Sequence, residues 1–307
     1  MFADLHTHTV CSDGSMTVEE ILLYAKENNI SYLSITDHDS VDAYDILKNQ
    51  DIRNLFPGKI ISGTELTAMY NGEIIEVLGF GFDTDVMADF IKNNVNAFVA
   101  TLVEQTKYYV KAFKKYGVRL SPEFTDIITN HPEKLFEESA VYSLQHYLND
   151  MRKFPENARF FESYEHMMTI SIPDFARNYI YNPKSTLYVD LSEMFLSLDD
   201  AINAIHNAGG KAFLAHIHVY SKSIFNDIEN IFKNHNLDGI EVSYPTFTKE
   251  QTENLLRFAK TNNLLVSGGS DFHGLDVKPN NFLSKGTDNN PIEISFVKDL
   301  IDKVNTI

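Results

Sequence analysis

The chain has 307 residues, of which 43% are hydrophobic, and a net charge of −17. This charge argues against binding of long nucleic acid through its phosphates, because that binding needs a basic surface, although short phosphorylated substrates remain open. No apolar run approaches the roughly 20 residues of a membrane span, and the single cysteine, Cys11, cannot form an internal disulfide. We therefore expect a cytoplasmic protein that binds no membrane and folds as one elaborated domain or two smaller ones.

Two histidines follow the first predicted strand, in the sequence DLHTHTVCSDG that begins at Asp4. His6 and His8 are two residues apart, so both rings point to the same side of an extended chain. Gly14 allows the following turn to bring Asp13 back to the same point. This spacing predicts a metal site, with a surface His-x-His that binds nothing as the alternative. Cys11 lies between His8 and Asp13 and is expected to face away from the site, with a role as a further ligand as the alternative.

Helices and strands alternate after this motif. Thr17-Val-Glu-Glu20 has the form of a capping box and predicts the first helix, and a second helix is expected from about residue 41. Strands are predicted at residues 32–35, 59–62 and 74–82. The first of these ends in Thr36-Asp37-His38-Asp39, the second leads into Glu65, and the third carries Glu76. Asp37 or Asp39 either orients the His38 ring or caps a turn.

The pattern changes at about residue 83. Long helical periodicities at residues 90–116, 134–151 and 158–168 are interrupted by prolines, and we interpret residues 83–198 as a mainly helical insertion. The first 82 residues contain four basic side chains, none of which adjoins a candidate ligand. The insertion is therefore expected to supply positive contacts to a substrate.

Alternation resumes after residue 198. Helices are predicted at residues 199–208, 221–234, 249–262 and 292–304, and strands at residues 211–215, 239–243 and 264–267. Glu241 lies inside a strand, where its carboxylate either reaches the site or pairs with a neighbour. About seven strands, mostly separated by helices, predict a parallel sheet or barrel. Seven candidate ligands lie at or just past the C-terminal ends of these strands, where side chains of a βα-barrel converge: His6, His8, His38, Glu65, His216, Asp271 and His273.

The motifs DLHTHTVCSDG, ITDHD, SGTEL, AGGKAFLAH and GGSDFHG, in this order, resemble those of the polymerase and histidinol phosphatase (PHP) superfamily of metal-dependent phosphoesterases. The resemblance implies an α/β fold, a distorted (β/α)7 barrel formed by residues 1–82 and 199–307. It also implies three divalent ions, manganese, iron or zinc. The helical segment between Glu76 and His216 resembles the insertion of the family's nucleotide and oligonucleotide phosphatases, which suggests that residues 83–198 are a lid or substrate domain.

The resemblance also implies roles for individual residues. One ion would be held by His6, His8, Glu65 and Asp271, a second by Asp13, His38 and His273, and a third by His216 with Glu65 as the bridge. Among these, Asp13, His38, Glu65 and Asp271 are also the candidate catalytic residues. Glu76 stands where the family often has a histidine, and its oxygen favours harder ions over zinc.

Two further residues are candidates for substrate binding. Arg177 ends a segment that resembles the family's Arg-Pro-His-x-Ala-Arg sequence, although the first arginine and the histidine are absent here. His218 lies two residues after His216, and Ile217 replaces the proline that is usual between them in the family.

The predicted function is hydrolysis of a small phosphomonoester, such as a nucleotide, or of a short oligonucleotide, by a metal-bridged hydroxide. One alternative is a histidinol-phosphate phosphatase. Another is an amidohydrolase-type C–N hydrolase, which commonly uses a lysine after the fourth strand that residues 74–82 lack. A non-catalytic module stabilised by metal is the third. The sequence leaves the oligomeric state open.

Overall fold

The computed structural model describes residues 1–95, 98–136 and 143–307. The chain divides into two compact units, which we call the strand unit and the helical unit. The strand unit consists of Met1–Ala68, Ile75–Val95 and Leu196–Ile307, and the helical unit of Met69–Ile74 and Asn96–Phe195. None of the described helices combines the length and apolarity that a membrane crossing requires.

The described residues form two sheets. A three-stranded parallel sheet has the order β1-β2-β3, and a six-stranded sheet has the order β6-β4-β5-β7-β8-β9. The strands are β1 Phe2–Asp4, β2 Ile30–Leu33, β3 Lys59–Ile60, β4 Gly63–Tyr70, β5 Glu73–Phe80, β6 Leu196–Ser197, β7 Lys211–Leu214, β8 Gly239–Ser243 and β9 Leu265–Gly268. The strand predicted at residues 59–62 ends at Ile60, where the ladder with β2 stops. β4, which carries Glu65 and belongs to the other sheet, was not predicted as a strand.

One strand departs from the predicted parallel arrangement. β5 pairs with β7 in an antiparallel ladder, whereas the β7–β8 and β8–β9 ladders are parallel. The cause is local, because β4 and β5 are joined by only Asn71 and Gly72, which have φ angles of 51° and 81°. Two consecutive positive φ angles produce a tight hairpin, which reverses the chain without a helical crossover.

Single bridges connect the ends of strands from different sheets. Thr7 pairs with Phe272 and His38 pairs with Glu65, both in parallel orientation. The first bridge brings the C-terminal end of β1 next to that of β9. The second brings the C-terminal end of β2 next to β4. Because they are isolated bridges and not ladders, no closed barrel is found in the described part of the chain. The fold is mixed α/β, and the seven-stranded barrel is not confirmed.

The helices of the strand unit largely follow the predicted positions. They are Val18–Glu27, Asp42–Leu47, Gln50–Arg53, Thr84–Asn94, Leu198–Asn207, Lys222–Asn226, Ile228–Asn234, Lys249–Thr261 and Lys298–Ile301. The capping box at Thr17 is confirmed, since the Thr17 side chain accepts from the Glu20 N–H and the Glu20 carboxylate accepts from the Thr17 N–H.

Two predicted helices of this unit are shorter than expected. The segment 221–234 contains two helices that meet at Asp227. The segment 292–304 contains a 3₁₀ turn at Ile294–Phe296 and a short helix, separated by Val297 with φ −108° and ψ 15°. Val297 packs with Leu300 and Ile301 in the same apolar cluster. Tertiary burial therefore outweighs the continuity of the helix here.

The helical unit packs around its own apolar core. Its helices are Phe98–Tyr116, Pro122–Asn130, Ser143–Met151, Tyr164–Thr169 and Ile172–Phe175, with 3₁₀ turns at Pro132–Phe136 and Pro155–Phe160. Tyr147 lies at the centre of this core, with edge-on ring contacts of 5.2–5.6 Å to Tyr109, Phe113 and Phe124. Pro122 and Pro173 each occupy the first turn of a helix, where the missing N–H has no intrahelical partner to lose.

The long periodicities that were predicted in the insertion are divided among these shorter helices. Part of the prediction for residues 90–116 and 134–151 falls on residues 96–97 and 137–142, which lie outside the described residues. The insertion was predicted to begin at residue 83 and to end at residue 198. In the structure, the chain passes from the strand unit to the helical unit after Val95 and returns to the strand unit after Phe195. The role of the insertion stays a prediction.

Candidate metal centre

The candidate ligands come from separate strands of the strand unit. His6 and His8 follow β1, His38 follows β2, Glu65 lies in β4 and Glu76 in β5. His216 follows β7, and Asp271 and His273 follow β9. The structure brings all of them, with Asp13, into one cluster of polar side chains. Most of these side chains are buried, while Asp13, His38 and Glu76 are partly buried.

Glu65 lies at the centre of this cluster. Its Oε2 atom is 3.1 Å from His6 Nε2, 3.3 Å from His8 Nε2 and 3.4 Å from His38 Nδ1. Its other oxygen, Oε1, is 2.9 Å from His216 Nε2. One fully buried carboxylate therefore contacts four imidazoles that come from three different strand ends.

Asp13 occupies one side of the cluster. Its carboxylate lies 3.1 Å from His273 Nε2, 3.5 Å from His8 Nδ1 and 3.7 Å from His38 Nε2. The turn that carries Asp13 is closed by the Gly14 N–H, which donates to the Thr9 carbonyl at 2.9 Å. A Cβ atom at Gly14 would lie 2.6 Å from the backbone of His8, so only glycine fits this turn.

Asp271 and Glu76 complete the cluster on two other sides. Asp271 Oδ1 lies 3.3 Å from His8 Nε2 and 3.6 Å from His6 Nε2. Glu76 Oε2 lies 3.2 Å from His216 Nε2, and the Glu76 carboxylate is 23% exposed. Glu76 therefore points towards the cluster and lies at its edge.

The donor atoms form four overlapping groups in which every atom lies within 4.8 Å of the others. The groups are His8, Asp13, His38 and His273; His6, Glu65 and His216; His6, His8 and Asp271; and His38, Glu65 and Glu76. Nitrogen and oxygen donors in such groups are the ligands of zinc, iron and manganese. Cys11 belongs to none of these groups.

The His8 ring provides a test of whether a metal fits. Both of its nitrogens are buried and make no hydrogen bond among the described residues, although carboxylate oxygens lie 3.3–3.5 Å away. His216 Nδ1 is likewise buried without a hydrogen-bond partner. An unsatisfied buried imidazole is costly, and a cation held between its lone pair and the carboxylates would satisfy it. The residues present therefore fit divalent ions.

The charges of the cluster support the same conclusion. Burial alone would lower the pKa of His8, but the adjoining Asp271 and Glu65 outweigh it and raise that pKa to about 9. Carboxylates also outweigh burial at His6 and His216, whose pKa values are raised. His273 differs, because burial and the neighbouring His8 lower its pKa to about 4. Without metal, protons on the imidazoles balance the carboxylates, and ions that bind there would displace these protons.

The carboxylates shift in the opposite direction. Burial would raise the pKa of Asp13, Glu65 and Asp271, but neighbouring cationic groups hold all three pKa values well below their ordinary range. For Asp271 the strongest of these groups is the Lys278 ammonium. The three carboxylates are therefore anionic ligands at every pH at which the protein would work.

Glu241 reaches the site, the first of the two alternatives that its place in a strand left open, and supports the cluster from behind. Its carboxylate is fully buried, with Oε1 3.0 Å from His6 Nδ1 and Oε2 accepting the His216 backbone N–H at 2.9 Å. It thus orients the His6 ring and holds His216, whose φ angle of 20° is unusual for a non-glycine residue. The signal in the sequence is the single charged residue of this strand.

The two aspartates beside His38 have another task. Asp37 accepts hydrogen bonds from the Thr9 N–H, the Thr9 hydroxyl and the Ser12 hydroxyl, each at 2.7 Å. Asp39 accepts from the Thr67 N–H at 2.9 Å. Neither bonds to His38 among the described residues. Asp37 therefore fixes the loop that leads to Asp13, and turn stabilisation describes both residues better than orientation of His38.

The two predicted substrate-binding residues belong to different units, His218 to the strand unit and Arg177 to the helical unit. His218 packs against Phe225 at 4.6 Å and Phe247 at 5.0 Å between ring centroids, and burial lowers its pKa. It belongs to none of the four donor groups. Arg177 lies in the helical unit, in a π-helical turn at Ala176–Ile180 that is closed by the Tyr181 N–H and the Ala176 carbonyl at 2.9 Å.

Comparison of the sequence with known protein families identifies the domain that contains this cluster. A family model described as the PHP domain matches residues 4–244, which is most of the chain. The chain belongs to the PHP family. The matched span contains every candidate ligand from His6 to His216. Asp271 and His273 follow it in the sequence.

This PHP protein is similar to enzymes that act on phosphoesters. The 5'-3' exoribonuclease Rnm of Escherichia coli (strain K12) is 27% identical over 88% of this chain and 84% of the relative. The 3',5'-nucleoside bisphosphate phosphatase of Chromobacterium violaceum is 23% identical over 88% of this chain and 86% of the relative.

A solved structure assigned as a metal-dependent phosphoesterase, from Bifidobacterium adolescentis, has a TM-score of 0.61 and 24% identity, and covers 99% of this chain and 96% of that one. This likeness shows a shared fold. The family match and the two phosphoesterase relatives confirm the predicted enzyme class, a phosphoester hydrolase.

Proposed function

We propose that this PHP protein is a metal-dependent phosphoesterase that hydrolyses a small phosphomonoester, such as a nucleotide, or a short oligonucleotide. The observation that carries the proposal is the contact of the Glu65 carboxylate with four imidazoles, beside the unpartnered nitrogens of His8. Such a set of donors suits several ions that share one carboxylate. Two of the relatives are named for hydrolysis of RNA or nucleoside bisphosphates, which supports a nucleotide substrate.

The residues of the cluster have distinct tasks in this mechanism. When bound, divalent ions polarise phosphate oxygens and lower the pKa of a water molecule. Glu65 holds the imidazoles of His6, His8, His38 and His216 at fixed separations, so the geometry exists before the substrate arrives. Glu241 keeps the His6 ring in one tautomer, with Nε2 towards the cluster. Asp13 and Asp271 contribute anionic oxygens on two sides.

The charge of the cluster explains how an acidic chain would bind phosphate. Three divalent ions would bring six positive charges, against one negative charge from each of Asp13, Glu65, Glu76 and Asp271. The fully buried Glu241 adds a fifth negative charge beside the ligands. The loaded cluster therefore keeps a small positive charge, which attracts a compact anion more strongly than a long polyanion that would also meet the acidic surface.

We expect purified protein to contain two to three transition-metal ions per chain and to release phosphate from a nucleotide or a nucleoside bisphosphate. Activity should fall to background on chelation, because the proposed mechanism activates water through the bound ions. The measurement is elemental analysis together with a substrate panel of a nucleotide, a nucleoside bisphosphate, a short oligonucleotide, long RNA, histidinol phosphate and an N-acyl compound.

The panel also separates the alternatives. Preferred hydrolysis of histidinol phosphate, or hydrolysis of only the N-acyl compound, would replace the proposal by one of the two alternative enzymes. Rapid digestion of long RNA would contradict the small-substrate part alone. Protein that contains metal and hydrolyses nothing on the panel would favour the non-catalytic module.

We also propose that residues 83–198 form a lid or substrate domain and that Arg177 binds a second phosphate of the substrate. The support is the planar guanidinium, which binds two phosphate oxygens at once, and its place in a π-helical turn, a feature frequent at functional sites. Arg177→Ala should raise KM for a nucleoside bisphosphate about tenfold and leave an aryl phosphate unchanged. Arg159→Ala, an exposed arginine of the same unit, is the control. Equal effects on both substrates would refute this role.

Two further proposals concern the architecture of the strand unit and the location of the enzyme in the cell. We propose that the strand unit is a strongly distorted seven-stranded barrel, supported by the single bridges between Thr7 and Phe272 and between His38 and Glu65. A crystal structure without backbone pairing at either bridge would refute it.

We also place the enzyme in the cytoplasm, in agreement with its single cysteine, and cell fractionation tests this.

A further inference from the structure

Lys278 is brought to the metal centre by a tight turn that follows its last ligand. The Lys278 N–H donates to the Gly274 carbonyl at 2.9 Å, and the Asn281 side-chain amide donates to the Ser270 and Asp271 carbonyls at 2.9 and 3.2 Å. Gly274 has a φ angle of 95°, and a Cβ atom there would lie 2.0 Å from Ser15 Oγ. The turn therefore needs glycine at this position, and it folds the lysine back onto the carboxylate seven residues earlier.

The two oxygens of Asp271 face different partners. Oδ1 is directed to the cluster, 3.3 Å from both His8 Nε2 and His273 Nδ1. Oδ2 accepts from the Tyr244 hydroxyl at 2.6 Å and from Lys278 Nζ at 2.6 Å. The ammonium of Lys278 is thus separated from the metal-binding donors by the width of a single carboxylate group.

Lys278 is more than a partner of Asp271. An ammonium has three N–H donors, and Asp271 accepts one of them. The Lys278 side chain is 35% exposed, whereas Asp271 is 5% exposed, so the ammonium lies at the boundary between the buried cluster and solvent. The Tyr244 hydroxyl already holds Oδ2 in place. Asp271 Oδ2 therefore has a second donor besides the lysine, and the ammonium has donors left for another anion.

The charges of a loaded site favour such an anion. Divalent ions bound on the Oδ1 side of Asp271 would repel the ammonium on the Oδ2 side, and a second anion between them would offset this repulsion. Lysine binds phosphate as a point charge, without the geometric demands of a guanidinium. On the basis of the proposed function, we propose that Lys278 donates a hydrogen bond to a non-bridging oxygen of the substrate phosphate held at the metal centre.

The test uses inorganic phosphate as the probe of the metal-loaded protein. Lys278→Gln should weaken phosphate binding about tenfold, as measured by calorimetry, because it removes a charged hydrogen-bond donor. It should raise KM for a nucleotide more than it lowers kcat, and metal content by elemental analysis should equal that of the parent. Lys278→Arg should recover phosphate affinity to within about threefold, since it restores the charge. Lys298→Gln, which removes an exposed lysine of the same unit, should change neither the affinity for phosphate nor KM for the nucleotide.

Three results would overturn the assignment, and they have different meanings. Unchanged phosphate affinity in fully loaded Lys278→Gln would show that the lysine does not bind the anion. Loss of metal with unchanged phosphate affinity per loaded site would show that the lysine only supports Asp271. Loaded parent protein that neither binds phosphate nor hydrolyses a phosphoester would remove the proposed function and this inference together, whereas the first two results leave the proposed function intact.

Discussion

Glu65→Gln is expected to lower kcat/KM on the order of a thousandfold and to reduce the metal content of the purified protein. The reason is geometric, because the two oxygens of this carboxylate lie 2.9–3.4 Å from the ring nitrogens of four histidines. Glutamine has nearly the same shape but removes the negative charge that several ions would share. Steady-state kinetics and elemental analysis of parent and variant measure both effects.

Glu76→Ala is the matched control for this variant. Glu76 contacts one histidine, His216 at 3.2 Å, and lies at the edge of the cluster, so its loss should remove at most one ion and cost about tenfold in rate. Glu76→His should keep that ion and shift the metal preference towards zinc, because imidazole is the softer donor. If Glu65→Gln and Glu76→Ala lose the same amount of metal and activity, Glu65 is not the shared ligand. If neither Glu76 variant changes the metal profile, Glu76 is not a ligand.

The metal-free protein is expected to lose stability as the pH rises from about 6.5 to about 9. In the folded protein the pKa of His8 is raised to about 9, from an ordinary value of 6.5, so the folded state binds the proton more tightly than the unfolded chain. Its stabilising contribution is complete below pH 6.5 and disappears as the pH passes about 9. The difference corresponds to roughly 3 kcal/mol for this one buried group. The raised pKa values of His6 and His216 act in the same direction.

His273 does not counteract this trend within the same interval. Its pKa is lowered to about 4, so its contribution is lost as the pH falls below 6.5 and is constant above it. The metal-loaded protein should behave in the opposite way, because protons compete with ions for the imidazoles and binding strengthens as the pH rises. Thermal unfolding between pH 6.5 and 9, in chelator and in excess manganese, measures both trends. A melting temperature that rises with pH in chelator would contradict the assigned charges.

Residue types and their spacing were sufficient for several features of this protein. The alternation of apolar segments predicted most helices and strands of the strand unit, and the Thr17 capping box was located to the residue. The ordered motifs from Asp4 to Gly274 predicted the PHP family, which the match over residues 4–244 confirms. These features are local, because periodicity, caps and turn residues act over a few positions along the chain.

Other features depend on contacts between distant parts of the chain. His6 and Glu241 are 235 residues apart in sequence, and only the packing of β8 behind the cluster brings the Glu241 carboxylate within 3.0 Å of the His6 ring. No motif marks Lys278, because it lies beyond the last of them, and only the turn at Gly274 brings its ammonium to Asp271.

The arrangement of the sheets was likewise decided by the tertiary structure. A regular pattern of strands and helices predicts a parallel barrel, but the hairpin at Asn71-Gly72 turns β5 against β7. In the described residues, isolated bridges and single hydrogen bonds connect the backbones of the two sheets, and no ladder does. Strand order and direction reflect which faces bury the most apolar surface together, and that quantity is a property of the packed chain and not of any one segment.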